Sequence, residues 1–438
     1  MKTLERIREL LRASRGVARH PLARNALALY AAQGARYLIP LALVPFLARV
    51  LRPEAFGRLA FAQSLASLLA VVADFGFSFS ATREIARERD CAGAQQAIVA
   101  GVLGAKLLLA GAVALAGALM LAFVPGFRAM AGFIWGACLL AVAQVASPAW
   151  FFQGVERMGR QTGIDVLGTG LGAGFVFVTV RRPEQAASVL FAMGAGALGA
   201  AGVNYLRMYH GIAFESPRVR PALRMLRQSL ALFFLRASIA LYTGANTFLL
   251  GLFVPAAAVA DFAGADKIVR ASMSVFTPVS QALFPRMAYL MTRNRRRGLG
   301  VSRRLLGVFA AVGCLEAVVL VWAAPWAVKL LLGSGYEGAV VLLRWLAPLL
   351  PLIAISNVLG FQIMLPLGMD RELNLAVAGA AVVNIVLMLV LVPRFGSVGM
   401  VWSVLVSETV VTGGQAALLL LRRAPTHKPA VSQAAGDE

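Results

Sequence analysis

Long apolar runs separated by short polar segments dominate the chain. They fall at 26–50, 58–81, 96–123, 130–152, 162–180, 185–206, 229–253, 258–285, 306–328, 338–365, 373–393 and 397–421. Each is long enough to cross a bilayer core of about 30 Å as a helix rising about 1.5 Å per residue. The pattern predicts an all-α integral membrane protein of about 12 transmembrane helices, with no room for a sizeable soluble domain. The polar segment 207–228 divides the spans into an N-lobe (25–206) and a C-lobe (229–421). Six spans return the chain to its starting side, so the two six-helix lobes are expected to be parallel repeats. A weak internal likeness between RPEAFGRLAFA (Arg52–Ala62) and VPAAAVADFAGA (Val254–Ala265), with one residue gapped, supports the repeat.

Composition agrees with a membrane solvent. Of 438 residues, 59% are hydrophobic and 14% charged, and mean hydropathy is +0.76. Soluble domains carry about a quarter charged residues, which argues against a large soluble helical protein. The net charge of +22 raises the question of nucleic acid, but its placement answers otherwise. With Arg49 and Arg58, at the edges of their spans, counted with the connection between them, 28 of the 42 Lys and Arg lie in alternate connections on the side of the N-terminus, eight on the opposite side and six within spans. That is the positive-inside pattern, and it predicts a multi-pass membrane protein with both termini cytoplasmic and no nucleic-acid partner.

Residues 1–24 carry seven basic side chains with Leu4, Ile7, Leu10 and Leu11 at helical spacing. They read as a basic amphipathic cytoplasmic helix on the inner leaflet, the alternative being a disordered basic arm. No cleavable signal peptide is evident. The tail 422–438, with Pro425 and Pro429, is expected to be a disordered cytoplasmic extension. Cys91, Cys138 and Cys314 show no metal spacing, and the three histidines lie outside the spans. Phosphate-binding glycine loops, GxSxG and HExxH are absent, so neither an enzyme nor a cofactor is expected.

The ionisable residues inside the spans are the informative ones, because each costs about 2.5–3.5 kcal/mol to insert unless it faces a cavity or a partner. In the first span Tyr30, Gln33, Arg36 and Tyr37 share one face. Arg236, Thr243, Asn246 and Thr247 form a comparable stripe in the seventh. Asp266, Arg270, Ser274, Thr277 and Gln281, with Lys267 beside them, follow a period near 3.6 in the eighth. The basic residues within spans are Arg36, Lys106, Arg236, Lys267, Arg270 and Arg344; the acids are Asp74, Asp165, Asp266, Glu316 and Glu408. Asp266 and Arg270 can neutralise each other at i, i+4. Arg36, Arg236 and Lys267 have no such partner on their own helices. A polar lumen between the lobes, lined by these cations, would favour an anionic substrate, and guanidinium forks suit phosphate.

Arg83 and Arg87 read either as snorkelling anchors or as the cytoplasmic mouth of such a lumen. Asp74 and Glu408 read as carboxylates for ion coupling or as acids satisfied by a neighbouring helix.

Several stretches resemble the Wzx-type O-antigen flippases, the polysaccharide transporters of the MOP superfamily. They are YLIPLALVPFLARVLRPEAFG (Tyr37–Gly57), ADFGFSFSATREIAR (Ala73–Arg87), SPAWFFQGVERM (Ser147–Met158), LYTGANTFLLGLFV (Leu241–Val254) and AGADKIVRASMSVFTPVSQALFPRM (Ala263–Met287). The resemblance implies two six-helix lobes in a V around a central cationic cavity. It implies transport of undecaprenyl-diphosphate-linked oligosaccharide from the cytoplasmic to the periplasmic leaflet by alternating access, for O-antigen or exopolysaccharide biosynthesis. It further implies a bacterial inner-membrane protein coupled either to an ion gradient, of H+ or Na+, or to the membrane potential; a monomer beside polymerase and glycosyltransferase partners among membrane lipids is expected. Arg36, Arg236, Lys267 and Arg270 occupy the kind of positions this family gives to its cavity. Asn246 is a departure, since the family often carries an acid there.

Two other classes fit the hydropathy. A multidrug antiporter of the same superfamily would want acids in the lumen, and the first and seventh spans have none. A membrane polysaccharide polymerase or ligase would want a substantial periplasmic loop with catalytic side chains, where this chain offers roughly a dozen residues or fewer.

Overall fold

The computed structural model describes residues 21–274 and 276–421. At 21–38, 40, 41, 235, 238, 239, 242, 243, 277 and 278 it describes the backbone alone. The N-terminal segment through residue 20 and the tail 422–438 lie outside the described residues, and so do the side chains of Tyr30, Gln33, Arg36 and Tyr37. Their backbone belongs to the first helix.

The described chain is all helix: α1 (Pro21–Asp74), α2 (Phe77–Arg87), α3 (Ala92–Phe123), α4 (Pro125–Arg128), α5 (Ala131–Ala146), α6 (Ala149–Gly154), α7 (Met158–Thr179) and α8 (Ser188–Tyr209) form the first half. The second half comprises α9 (Val219–Gly244), α10 (Asn246–Gly251), α11 (Ala256–Met273), α12 (Phe276–Arg293), α13 (Arg295–Leu331), α14 (Glu337–Leu346), α15 (Leu349–Asn357), a π-helical stretch at Val358–Met364 and α16 (Asp370–Leu421).

Among the described residues eight segments are long and apolar enough to cross a membrane; Asp370–Leu421 holds a pair of spans, and Ala42–Arg87 holds the end of the first span with the whole of the second. α1 has 54 residues and α16 has 52, about twice what a bilayer needs. Each is interrupted once, at Arg52 (φ 59°) and at Gly396 (φ 57°). Gly396 turns the chain so that Gly399 returns against Leu391. The seventh and eighth spans of the sequence reading are missing from the apolar set. Their helices carry Arg236, Asp266, Lys267 and Arg270, and they are broken at Ala245 and after Met273.

The connections differ from expectation. The stretch 286–305 is helical except at Asn294, whose side chain accepts from Arg297 N (3.0 Å) and caps α13. Only 210–218 separates α8 from α9. Helices that overrun the membrane keep these arginines on regular backbone.

Small residues set the packing of the first bundle. α7 crosses α8 where a Cβ on Gly196 would stand 2.3 Å from Gly168 O, the close approach that glycine permits between membrane helices. Gly196→Val is expected to destabilise the protein by about 1–3 kcal/mol through overpacking. A melting curve in detergent would show it as a lowered midpoint, and an unchanged midpoint would mean the crossing relaxes freely.

The two bundles meet at one end. Tyr336 Oη donates to Ala48 O (2.9 Å), Arg49 Nη2 donates to Leu330 O (2.5 Å), and Gly57 lies directly against Ala256. This end lies away from the basic segments. Toward the basic end α12 packs on α13 and on residues 358–367 of its own bundle. The first turns of α9 stay with the first bundle, where Gly104 of α3 accommodates Pro217 and Ala222 and Ser80 Oγ bonds Ser229 Oγ (2.7 Å).

Candidate functional site

Between the bundles lies a cavity of about 450 Å³. One wall is apolar, with Leu43, Val44 and Leu47 from α1, Leu140 from α5 and Val189 and Met193 from α8. The facing wall is one side of α11, where Lys267, Arg270, Ala271 and Ser274 follow one another. Spacing of three to four residues places both cations toward the same space.

Lys267 Nζ donates to Gln63 Oε1 across the bundles (3.2 Å) and stands 5.1 Å from the centre of the Phe56 ring, a cation–π distance. Arg270 Nε is paired with Asp266 Oδ2 (2.6 Å), while half of the Arg270 side chain remains exposed. The i, i+4 pair thus engages Nε of the guanidinium and helps to fix its orientation.

A second and larger chamber, about 630 Å³, lies beside the first and shares Ser67 and Gln144 with it. It is built largely inside the first bundle, and Arg236 of α9 also lines it. Helix breaks furnish its polar groups. α1 ends at Asp74 because Phe75 (φ 46°) and Gly76 (φ 83°) turn left-handed, which leaves the carboxylate at a helix terminus. α5 ends at Ala146, before Pro148, which frees Ser147 to point at Asp165.

Lys106 Nζ donates to Val145 O near the C-terminus of α5, the end of a helix that favours a cation. Lys106 also lies within electrostatic reach of Asp74. Asp74 Oδ1 accepts from Ser78 Oγ (2.7 Å). Asp165 accepts from Ser147 Oγ (3.0 Å), Asn204 Nδ2 (2.9 Å) and Gln161 Nε2. The Arg236 guanidinium lies 5.2 Å from the centre of the Phe79 ring.

Lys267, Arg270 and Ser274 therefore line the smaller chamber, Arg236 and Asp74 line the larger, and Asp266 braces Arg270. Gln281 departs from the group. It lines a separate pocket with Ser280 and Asn357 in the second bundle, because α11 ends at Met273 and α12 restarts at Phe276, which breaks the helical register assumed for the stripe. Asn246 is buried at the start of α10 and lines neither chamber. Beside it Ser64 bridges the break in backbone bonding, donating to Gly244 O (2.7 Å) and accepting from Phe248 N (3.1 Å). Glu408 is buried in α16 outside both chambers. Arg83 and Arg87 are exposed on α2 at the basic end. The side chain of Arg36 is outside the described residues.

Lys106, Asp165, Gln63, Gln144 and Trp150 were not assigned to the cavity from sequence. The first two were visible as charges inside spans. The other three gave no signal, since a lone Gln or Trp in a membrane helix has many ordinary uses.

Residues 22–291 match the family described as "Polysaccharide biosynthesis protein". A protein of Escherichia coli (strain K12) named "Putative O-antigen transporter" is 29% identical over 397 residues, spanning 89% of this chain and 95% of that one. Among solved structures, the fold is similar to an inward-facing multidrug resistance MATE family transporter of the MOP superfamily. That likeness has a TM-score of 0.66 and 15% identity, and covers 88% of this chain and 96% of the other. It is similar as well to lipid II flippase MurJ in an inward closed conformation, with a TM-score of 0.61 and 10% identity over 87% of each chain. The paired helical bundles, the cavity between them and the match over well more than half the sequence agree: this chain belongs to the polysaccharide biosynthesis protein family, on a MOP-superfamily transporter fold.

Proposed function

We propose that the protein is a flippase that moves a lipid-diphosphate-linked oligosaccharide from the cytoplasmic to the periplasmic leaflet of a bacterial inner membrane. The observation that carries this reading is the smaller chamber, with Lys267 and Arg270 on one wall and aliphatic side chains on the other. Such a chamber suits an amphiphile whose head is anionic. The Arg270 fork binds phosphate oxygens in parallel, Lys267 adds a second charge, and Leu43, Val44 and Leu47 meet the first isoprene units. With the basic end cytoplasmic by the positive-inside rule, the seal at Ala48, Gly57 and Tyr336 closes the periplasmic side and the cavity receives substrate from within. Alternating access then requires that seal to open as the basic end closes. The names of the relatives support the same chemistry.

The rival reading, export of organic cations, is disfavoured by the two basic residues on the α11 wall. Expression in a strain lacking its O-antigen flippase tests both. Restored surface glycan is expected, with unchanged tolerance to cationic dyes. Protein present in the membrane, no glycan, and raised dye tolerance would replace this reading with drug export.

A further inference from the structure

We propose that the larger chamber, inside the first bundle, is a saccharide subsite for uncharged, hydroxyl-rich sugar residues next to the diphosphate. This rests on the flippase reading and specifies which part of the substrate lies where.

The two chambers differ in charge. The smaller one presents Lys267 and Arg270, partly offset by Asp266. The larger one holds two cations, Lys106 and Arg236, and two carboxylates, Asp74 and Asp165, so its formal charge is balanced. A dianionic head is therefore held on the α11 wall. A balanced set of buried charges offers an anion little, and it offers a neutral polyol both strong acceptors and strong donors. Hydrogen bonds to charged groups are the stronger kind, and sugar hydroxyls can serve either partner.

The larger chamber also contains polar atoms that the protein leaves unmatched. Asp74 Oδ2 and Trp150 Nε1 are buried without a hydrogen-bond partner among the described residues, and both residues line the chamber. Both side chains are more than nine-tenths buried. Unsatisfied buried groups are costly and rare. Here one is an acceptor and the other a donor; both atoms are covered by protein as the chamber stands, and a turn of either side chain would bring it to a sugar hydroxyl. Ser67 and Gln144 border both chambers, so the two lie side by side, and in the proposed arrangement the phosphates of one substrate lie against α11 and its first sugars within the first bundle.

The test compares two synthetic ligands on the full-length protein in nanodiscs: farnesyl diphosphate, and farnesyl diphosphate carrying a neutral trisaccharide. The readout is the ratio of the two affinities, which cancels any general loss of fold. In the native protein the sugar is expected to tighten binding about tenfold or more. Asp74→Asn and Trp150→Phe are each expected to shrink that gain about fivefold, the worth of one net hydrogen bond. Thr169→Val, a nearly isosteric change on the same chamber wall, guards against misfolding of the first two and is expected to shrink the gain by a smaller factor. Replacing one hexose of the ligand with a hexuronate is expected to lower affinity.

No gain from the sugar, or a gain unaffected by all three variants, would overturn the subsite. Arg270→Ala probes the other reading separately: if it leaves farnesyl diphosphate binding intact, the diphosphate site is wrong whatever the sugar does. Failure of the native protein to bind either ligand would overturn both.

Discussion

Arg270→Ala is expected to reduce glycan export by about tenfold or more while leaving the protein in the membrane at its normal level. Arg270 is paired with Asp266 at i, i+4, and half its side chain is exposed. A pair of that kind contributes only about 0.2–1 kcal/mol to stability, too little for its loss to empty the membrane of protein. Charge-assisted bonds to a phosphate are each worth about 1.5–3 kcal/mol, which is a factor of about ten to a hundred in binding. The large effect is therefore expected on transport and the small one on folding.

Companion variants sharpen the result. Arg270→Lys should recover part of the export, since it keeps the charge and loses the two-pronged geometry. Asp266→Asn should leave export largely intact if Arg270 serves the substrate, and should match Arg270→Ala if the ion pair itself is what matters. Lys267→Met is expected to cost less than Arg270→Ala, because Lys267 already bonds Gln63 and lies over Phe56. The measurements are surface glycan by immunoblot and protein level in the membrane fraction. Normal glycan with Arg270→Ala would remove this residue from the substrate site.

The all-helical, membrane-spanning character was legible because a bilayer imposes one strong length rule on an apolar helix. The clustering of charge on α11 was legible too, since i, i+3 and i, i+4 spacing survives any tertiary arrangement. Distances between helices were not. Lys106 and Asp165 lie 59 positions apart in sequence, and only the folded first bundle brings them to one chamber with Asp74. Periodicity also failed where the backbone is broken. The stripe from Asp266 to Gln281 assumes one helix, and the interruption after Met273 sends Gln281 to a pocket with Asn357. The left-handed turn at Phe75 and Gly76 gave a weak signal at best, because a Phe-Gly pair inside an apolar run has no fixed conformation. Breaks of this kind are where chamber-lining polar groups gather: Asp74 before one, Ser147 at another, Ser274 at a third. Irregular backbone at membrane depth persists where it borders a cavity or is buried in protein, so the features hardest to read from periodicity are those that mark the chamber.

Gly57→Val is expected to hold the two bundles apart at the end where they now meet. A Cβ on Gly57 would stand 1.8 Å from Ala256 O and 2.6 Å from Ala256 C, so the obstruction is backbone and no rotamer change relieves it. The neighbouring contacts leave little slack: Pro53 abuts Gly335, Arg49 reaches Leu330 O, and Tyr336 bonds Ala48 O. The first turn of α11 must therefore retreat, which costs about 1–3 kcal/mol in the closed arrangement and nothing once the bundles have separated. That difference shifts the balance between the two arrangements by a factor of about 5 to 150. Because α11 carries Lys267 and Arg270, its displacement also withdraws both cations from the apolar wall opposite, and export should fall with it. The shift can be read from a cysteine at Gln63, which lies in the cavity behind the seal, after Cys91, Cys138 and Cys314 have been replaced. A membrane-impermeant thiol reagent added outside should label that cysteine about tenfold faster or more with Gly57→Val than with Gly57, and at an intermediate rate with Gly57→Ala. Equal rates in all three, with glycan export preserved, would show that closure at this crossing plays no part in the transport cycle. A graded increase accompanied by a graded loss of export would tie the seal and the substrate site to a single motion of α11.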